Sequence, residues 1–293
     1  MKLSVVIPTY NDFEVLDKCL QHLNNQSFDE DFEVVVVDDG STDKTQDVLN
    51  QWGKKKSKFK LKTIYQKNKK QGVARNRGVV ESGGDTIIFI GSDILVQENW
   101  LNEHKKFHDR FGNDKAIGLG FMTWSPELAN DRFRQWLESS GTMLSYKGLK
   151  NYEETDFWHF YTGNISMKKS FFEQYKFDED FKAYGWEDIM LGYRMLKDGA
   201  KLYYIENAKA WHDHALTEKD LFPGRMREIG KSAVLFFEKF PDLNIIPKGI
   251  KLFLFKILSL DFVVCFLKVL KKEWGWYAKS KKYFLEGVKN KYL

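Results

Sequence analysis

With 293 residues, 43% of them hydrophobic and 30% charged, the chain has the material for one large folded domain with an appendage or for two modest ones, which excludes a disordered or fibrous protein. Its two cysteines, Cys19 and Cys265, have no partners at metal-ligand spacing, so a disulfide scaffold or a cysteine-rich zinc module is excluded and both read as packed thiols in a reducing compartment. The formal charge of +5 is unevenly held: residues 248–293 carry 11 lysines against Asp261, Glu273 and Glu286, a net +8 that leaves −3 for the rest.

The opening Met1-Lys2-Leu3-Ser4-Val5-Val6-Ile7-Pro8 is too short and too abruptly ended for a signal peptide, and no charge-free stretch reaches the roughly 18 residues of a spanning helix. A cytoplasmic location is the expectation. Leu3 to Ile7 reads as a buried strand, and Asp12 then opens a helix with Phe13, Leu16, Leu20 and Leu23 at helical spacing. Glu33 to Val37 is a second β-branched run. Asp38-Asp39-Gly40-Ser41-Thr42 turns into a helix carrying Val48, Leu49 and Trp52, and Leu61 to Tyr65 supplies a third strand. A helix over 71–81 and a strand from Thr86 to Ile90 complete a β-α-β-α series, whose expected form is a mainly parallel α/β sheet flanked by helices. The strand from Thr86 to Ile90 delivers Gly91-Ser92-Asp93 to its carboxyl end, the edge where open α/β sheets bind ligands.

Beyond residue 120 the alternation weakens and aromatic residues accumulate, from Phe121 and Trp124 to Phe160 and Tyr161, as expected for the second wall of a cleft. From about residue 216 the sequence becomes helical and basic without a Gly/Ser/Pro linker. The expected division is therefore 1–215, with halves 1–120 and 121–215, followed by a helical extension over 216–293.

Four elements carry chemistry together: Pro8-Thr9-Tyr10-Asn11, Asp38-Asp39-Gly40-Ser41, Gly72-Val73-Ala74-Arg75-Asn76-Arg77-Gly78 and Gly91-Ser92-Asp93. Singly they read as a turn, a turn with an N-cap, a solvated helix face and a strand end. In this order and spacing they resemble the nucleotide-binding half of the family 2 glycosyltransferases, and the resemblance covers roughly residues 1 to 215. It implies the GT-A (Rossmann-like) fold, inverting sugar transfer and a nucleotide-diphosphate sugar donor. Asp39 can accept the imide N–H of a uracil-like base or a ribose hydroxyl, the backbone of Pro8, Thr9, Tyr10 and Asn11 can flank the ring, and Arg75 can offer a planar fork to base or phosphate.

The family places a divalent metal, Mn²⁺ or Mg²⁺, on the diphosphate through an acidic triplet. Here Gly91 replaces the first acid and Asp93 holds the last, with Ser92 between them. A hard dication then needs further ligands, and Ala210-Trp211-His212-Asp213-His214 lies where related enzymes carry a metal-ligating histidine. His212 is the first candidate and His214 the second; the competing reading of either is a packed or surface group.

In Tyr184-Gly185-Trp186-Glu187-Asp188 the acids also suit the first turn of a helix, where the dipole favours them. The family reading makes Asp188 the general base and Glu187 the acceptor binder, with Trp186 as an apolar platform unless it is simply core. Phe160-Tyr161-Thr162-Gly163-Asn164 resembles the family's Gly-Asn loop, which implies that Asn164 bonds a sugar hydroxyl.

The resulting expectation is metal-dependent transfer from a UDP-sugar to a hydroxyl of a glycan or lipid-linked acceptor in cell-surface polysaccharide synthesis. The missing acid at position 91 motivates a rival, a non-catalytic sugar-nucleotide or glycan-binding subunit. A nucleotidyltransferase is disfavoured because the first strand lacks a Gly-rich, Lys-bearing loop. Residues 249–272 are apolar but punctured by Lys251, Lys256, Asp261 and Lys268, a pattern for an interfacial helix on an anionic membrane surface, which would make the protein peripheral on the cytoplasmic face. The competing reading packs that helix on the catalytic domain or on a second copy in a homo-oligomer. Nucleic acid is not an expected partner, because no reading module is present.

Overall fold

The computed structural model describes residues 2–292, and of residues 290–292 only the backbone. The chain divides into two compact units, Met1–Asn130, Leu137–Glu179 and Asp188–His214 forming the first, and Asp131–Trp136, Asp180–Glu187 and Ala215–Leu293 the second.

The first unit begins with β1 (Leu3–Thr9), α1 (Phe13–Asn24), β2 (Phe32–Asp38), α2 (Thr45–Lys54), β3 (Lys60–Tyr65), α3 (Gln71–Glu81) and β4 (Thr86–Ile90). β1, β2 and β4 are buried along their whole length, as their runs of β-branched residues require of parallel strands covered on both faces. β3, at the sheet edge, has only exposed and half-buried residues. There follow along the chain β5 (Ile94–Val96), α4 (Trp100–Phe111), β6 (Ala116–Trp124), the short α5 (Pro126–Ala129), α6 (Arg132–Ser139), whose residues up to Trp136 belong to the second unit, β7 (Glu154–Thr155), β8 (Asn164–Lys168), the short α7 (Lys169–Phe172), α8 (Glu187–Lys197), which belongs to the first unit from Asp188, and β9 (Lys201–His212).

These strands form one nine-stranded sheet in the order β3-β2-β1-β4-β8-β6-β9-β5, with β7 beside β9. β3, β2, β1 and β4 are parallel, whereas β8 enters antiparallel between β4 and β6. The parallel order expected from the alternating pattern thus holds for the first four strands and for β6 with β9, and the remainder is mixed. Between β6 and β9 the register jumps: Gly120 faces Ile205, but Phe121 faces Lys209, so residues 206–208 are extra on the β9 side.

Two apolar layers cover the sheet. Leu16, Cys19 and Leu20 of α1, Leu49 and Trp52 of α2, and Trp100 and Phe107 of α4 pack on one side. Val79 of α3, Phe171 and Phe172 of α7, and Leu191 and Met195 of α8 pack on the other. α3 lies so close to β1 that a Cβ on Gly78 would collide with Val6.

The second unit holds α9 (Met226–Lys239), α10 (Gly249–Leu258), α11 (Asp261–Leu270) and α12 (Lys272–Tyr292). α9 and α12 cross at Gly230 and Gly287, where a Cβ on either would meet the other helix's backbone. Phe133, Trp136, Phe222 and Trp276 build an aromatic cluster beside them. The long apolar stretch at 249–270 is two helices broken at Ser259-Leu260, and Cys265, expected to be packed, is exposed on α11.

Candidate active site

The loops after β1, β2 and β3 are tied to one another by the motif residues themselves. Asn11 takes a left-handed backbone, φ +54°, donates its N–H to Ser41 Oγ at 2.9 Å and accepts from Thr42 N–H at 2.7 Å. Asp39 donates its own N–H to Thr9 O, while its carboxylate accepts from Gln66 Nε2 at 2.7 Å and from the N–H groups of Lys69 and Lys70 at 2.9 and 2.8 Å. Three of about four acceptor positions on this buried carboxylate therefore organise the loop before α3, leaving room for one further donor. Gly40 is needed between them: its φ is +85° and a Cβ would stand 2.8 Å from Asn68 N. Pro8 and Thr9 end the buried β1, and Tyr10 is exposed.

The second cluster lies beyond β4 and at the end of β9. Ile94 pairs with His212 across β5 and β9, which sets Asp93 against the end of β9. Asp93 Oδ2 stands 3.1 Å from His212 Nε2 and 4.0 Å from His214 Nδ1. Burial favours the neutral acid, but the His212 and His214 charges and the His212 hydrogen bond outweigh it and hold Asp93 well below the usual carboxylate range. The His212 ring stacks on Trp124 at 4.9 Å. Asp213, between the two histidines, accepts from Lys18 Nζ at 2.8 Å and Ser125 Oγ at 2.6 Å, and its N–H donates to Asp93 O. Ser92 donates to Asp12 at 2.9 Å. A Cβ on Gly91 would lie 2.6 Å from Asp93 Oδ1, so the glycine that replaces the family's first acid makes room for the carboxylate that remains.

Adjacent ligands of a six-coordinate dication with bonds of about 2.1 Å are roughly 3 Å apart, so Asp93 and His212 are spaced to share one ion. Among the described residues no group of three His, Cys, Asp or Glu side chains is arranged to hold a metal.

Asp188 is half-buried in the first turn of α8. Burial raises its pKa above the ordinary Asp value, opposed by the Arg75 charge and by the N–H groups of Ile189, at 2.8 Å, and Thr162. Arg75, buried on α3 with its guanidinium 5.4 Å from the Phe177 ring, is thus an electrostatic neighbour of Asp188. Glu187 and Trp186 fall in the second unit, where Glu187 is buried. Trp186 donates its indole N–H to Ile229 O at 3.0 Å and packs 5.9 Å from Phe236, from a left-handed backbone with φ +69°. That strained conformation immediately precedes the acidic pair, a placement typical of functional sites.

Asn164 departs from the expectation of a sugar contact. It is 0% exposed and all its side-chain capacity is used inside the first unit. Oδ1 accepts from Trp100 Nε1 at 2.8 Å and His104 Nε2 at 3.0 Å, while Nδ2 donates to Phe121 O at 3.1 Å and Ala208 O at 2.8 Å. Those two carbonyls flank the β6–β9 register jump, so the amide plugs the break in the ladder. His104 Nδ1 continues to Ser166 Oγ, which also meets His108 Nε2, both at 2.9 Å. Burial pulls His104 down to about 4, against the Asn164 hydrogen bond, and His108 to about 3, helped by the His104 and Lys168 charges. This network escaped the sequence reading, although His104 and His108 at helical spacing on an otherwise amphipathic helix were a signal. Lys18, Trp124, Ser125 and Asp213 were also missed; only Asp213 carried one, by lying between the two candidate histidines.

The sequence profile described as Glycosyl transferase family 2 matches residues 4–176. The chain belongs to that family. It is 27% identical over 270 residues to the dolichyl N-acetyl-alpha-D-glucosaminyl phosphate 3-beta-D-2,3-diacetamido-2,3-dideoxy-beta-D-glucuronosyltransferase of Methanococcus voltae, covering 88% of this chain and 80% of that one. A Pasteurella multocida chondroitin synthase is much longer: the chain spans 26% of it at 26% identity, with 80% of this chain covered. Among solved structures, Staphylococcus aureus TarS in complex with UDP aligns with a TM-score of 0.59 at 18% identity, over 98% of this chain and 89% of that one. The mannosyltransferase PcManGT of Pyrobaculum calidifontis, in complex with GDP-Man and Mn²⁺, aligns at 0.64 and 16%, over 98% of this chain and 85% of that one. Together these show a glycosyltransferase of the GT-A fold.

Proposed function

We propose that this glycosyltransferase is metal-dependent and inverting, and that it moves a sugar from a nucleotide-diphosphate donor, a UDP-sugar, to a hydroxyl of a glycan or lipid-linked acceptor. The observation that carries the reading is the pairing of Asp93 with His212 at 3.1 Å, on the same unit as a general-base candidate, Asp188, whose pKa is raised. Residues 1–120 bind the nucleotide, residues 121–215 face the acceptor, and 216–293 form an extension. The spare acceptor position on Asp39 supports recognition of one base or ribose donor. TarS was solved with UDP and the Methanococcus voltae relative is named for a dolichyl phosphate sugar acceptor, which supports the donor and acceptor classes.

A divalent cation on Asp93 and His212 would neutralise charge on the departing diphosphate. Asp188 accepts the hydroxyl proton as the acceptor oxygen attacks the anomeric carbon, and the bond to the diphosphate oxygen breaks. The Arg75 charge opposes the rise that burial imposes on Asp188 and so favours its ionised form. Glu187, adjoining the base, orients the acceptor.

Incubation with a panel of nucleotide sugars and Mn²⁺ should give transfer or slow donor hydrolysis that chelation removes. Asp188→Asn should lower turnover by about 10² or more, and an unaffected variant would overturn the base assignment.

A further inference from the structure

The second unit exposes an apolar surface with a regular design. On α10 the exposed residues Ile250, Phe253, Leu254 and Ile257 follow the i, i+3, i+4, i+7 spacing of a single stripe, with Ile250 80% exposed. On α11 Phe262, Phe266 and Val269 repeat the pattern at i, i+4, i+7, Val269 being 85% exposed. Leu260, between the helices, is exposed as well. Exposed apolar stripes of this kind on a folded protein mark an interaction site.

Charge decides what covers it. Lys251, Lys256 and Lys268 lie exposed on the same two helices, and Lys271 and Lys272 follow directly. Asp261, the only acid within α10 and α11, is neutralised by an ion pair to Lys282. Residues 248–293 hold a net +8, so docking two copies face to face would oppose like charges, whereas an anionic surface would gain from every lysine. Trp274 and Tyr277, exposed just beyond, are the aromatic types that favour a membrane–water boundary. Among the described residues no helix is long and apolar enough to cross a membrane. Each of α10 and α11 is 10 residues, about half of what a spanning helix needs.

We propose that α10 and α11 form a membrane-docking hairpin that inserts its apolar stripes among the head groups of an anionic bilayer while the lysines contact those groups. The stripes supply the buried apolar area and the lysines the selectivity for negative charge.

The full-length protein is to be sedimented with vesicles of phosphatidylcholine alone and with 30% phosphatidylserine, at low and high salt. Binding should require phosphatidylserine, weaken at least tenfold in high salt, and fall at least tenfold in Phe253→Ser/Phe262→Ser/Phe266→Ser and in Lys251→Glu/Lys256→Glu/Lys268→Glu, with melting temperatures unchanged because these side chains are exposed. Absence of binding to anionic vesicles overturns the proposal. So does a dimer in light scattering that the serine variant abolishes, which would make the patch a contact between copies, or retention of an acidic protein but not of vesicles. The assay needs no turnover, so its failure is separable from failure of the catalytic reading.

Discussion

Replacing Asn164 by alanine separates a structural role from a substrate contact. The substitution leaves the indole N–H of Trp100, the Nε2–H of His104 and the carbonyls of Phe121 and Ala208 without the partners they have now, all at a position with 0% exposure. A buried polar group stripped of its partner costs about 1–3 kcal/mol. Four such groups at the lower figure give about 4 kcal/mol, and water entering the vacated space would recover part of it. For a unit of this size each kcal/mol lowers the melting temperature by about 2–4 °C, so Asn164→Ala should melt roughly 8–16 °C lower. Gly120→Ala should act in the same direction, since a Cβ there would run into the Asn164 side chain. The assay is a thermal melt followed by circular dichroism, paired with KM for the donor measured well below the melt. The KM should be close to that of the parent. A variant that melts within 2 °C of the parent yet loses donor affinity would refute the reasoning and return Asn164 to the substrate.

The same network makes stability sensitive to acid. Folded-state pKa values near 4 for His104 and near 3 for His108 lie below the unfolded value, so the unfolded chain binds more protons; stability is fully present above about pH 6.5 and is lost as pH falls toward 4 and then 3. The slope approaches about 1.4 kcal/mol per pH unit for each histidine, and urea midpoints recorded from pH 7 to 5 should fall accordingly; a flat series would contradict the burial argument. Activity should have its own acid limb, above the ordinary Asp range because Asp188 is raised, and lost as pH falls through that value. Arg75→Leu should move this limb of kcat/KM to higher pH and Arg75→Lys should leave it nearly in place; a limb that does not respond to Arg75→Leu would dissociate the two residues.

Much of the first unit was legible because its signals are local. The β-branched runs of β1, β2 and β4 and the helical spacing on α1 depend only on neighbours in sequence, and the ordered motifs at their ends identified the family. β8 was not legible as the strand between β4 and β6, since pairing partners 82 residues apart in the register Thr86 with Lys168 leave no periodic trace. Asn164 was misread for a related reason: the residue type suits a sugar hydroxyl and a broken ladder equally well, and only the position of Phe121 and Ala208 distinguishes them. Cys265 followed the rule that apolar helices bury their thiols, and the rule failed because the stripe on α11 faces outward. Asp93 and His212 were chosen as a pair by resemblance, and the pairing of β5 with β9 brings them to 3.1 Å.

The three surplus residues of β9 also set the parity of the strand. Before them the odd positions, Tyr203 and Ile205, share a face with Gly118 and Gly120; after them the even positions, Ala210 and His212, share a face with Met122 and Trp124. The interruption is therefore what lets His212, an even position, stand opposite Trp124 on the face that odd positions hold before it. Loss of a single residue between Ile205 and Lys209 would leave every motif intact in the sequence, yet would change how the strand passes from one register to the next just before the histidine. In a set of related chains, whether the histidine can reach Asp93 should therefore follow from the register regained after this segment, and not from the presence of the histidine alone.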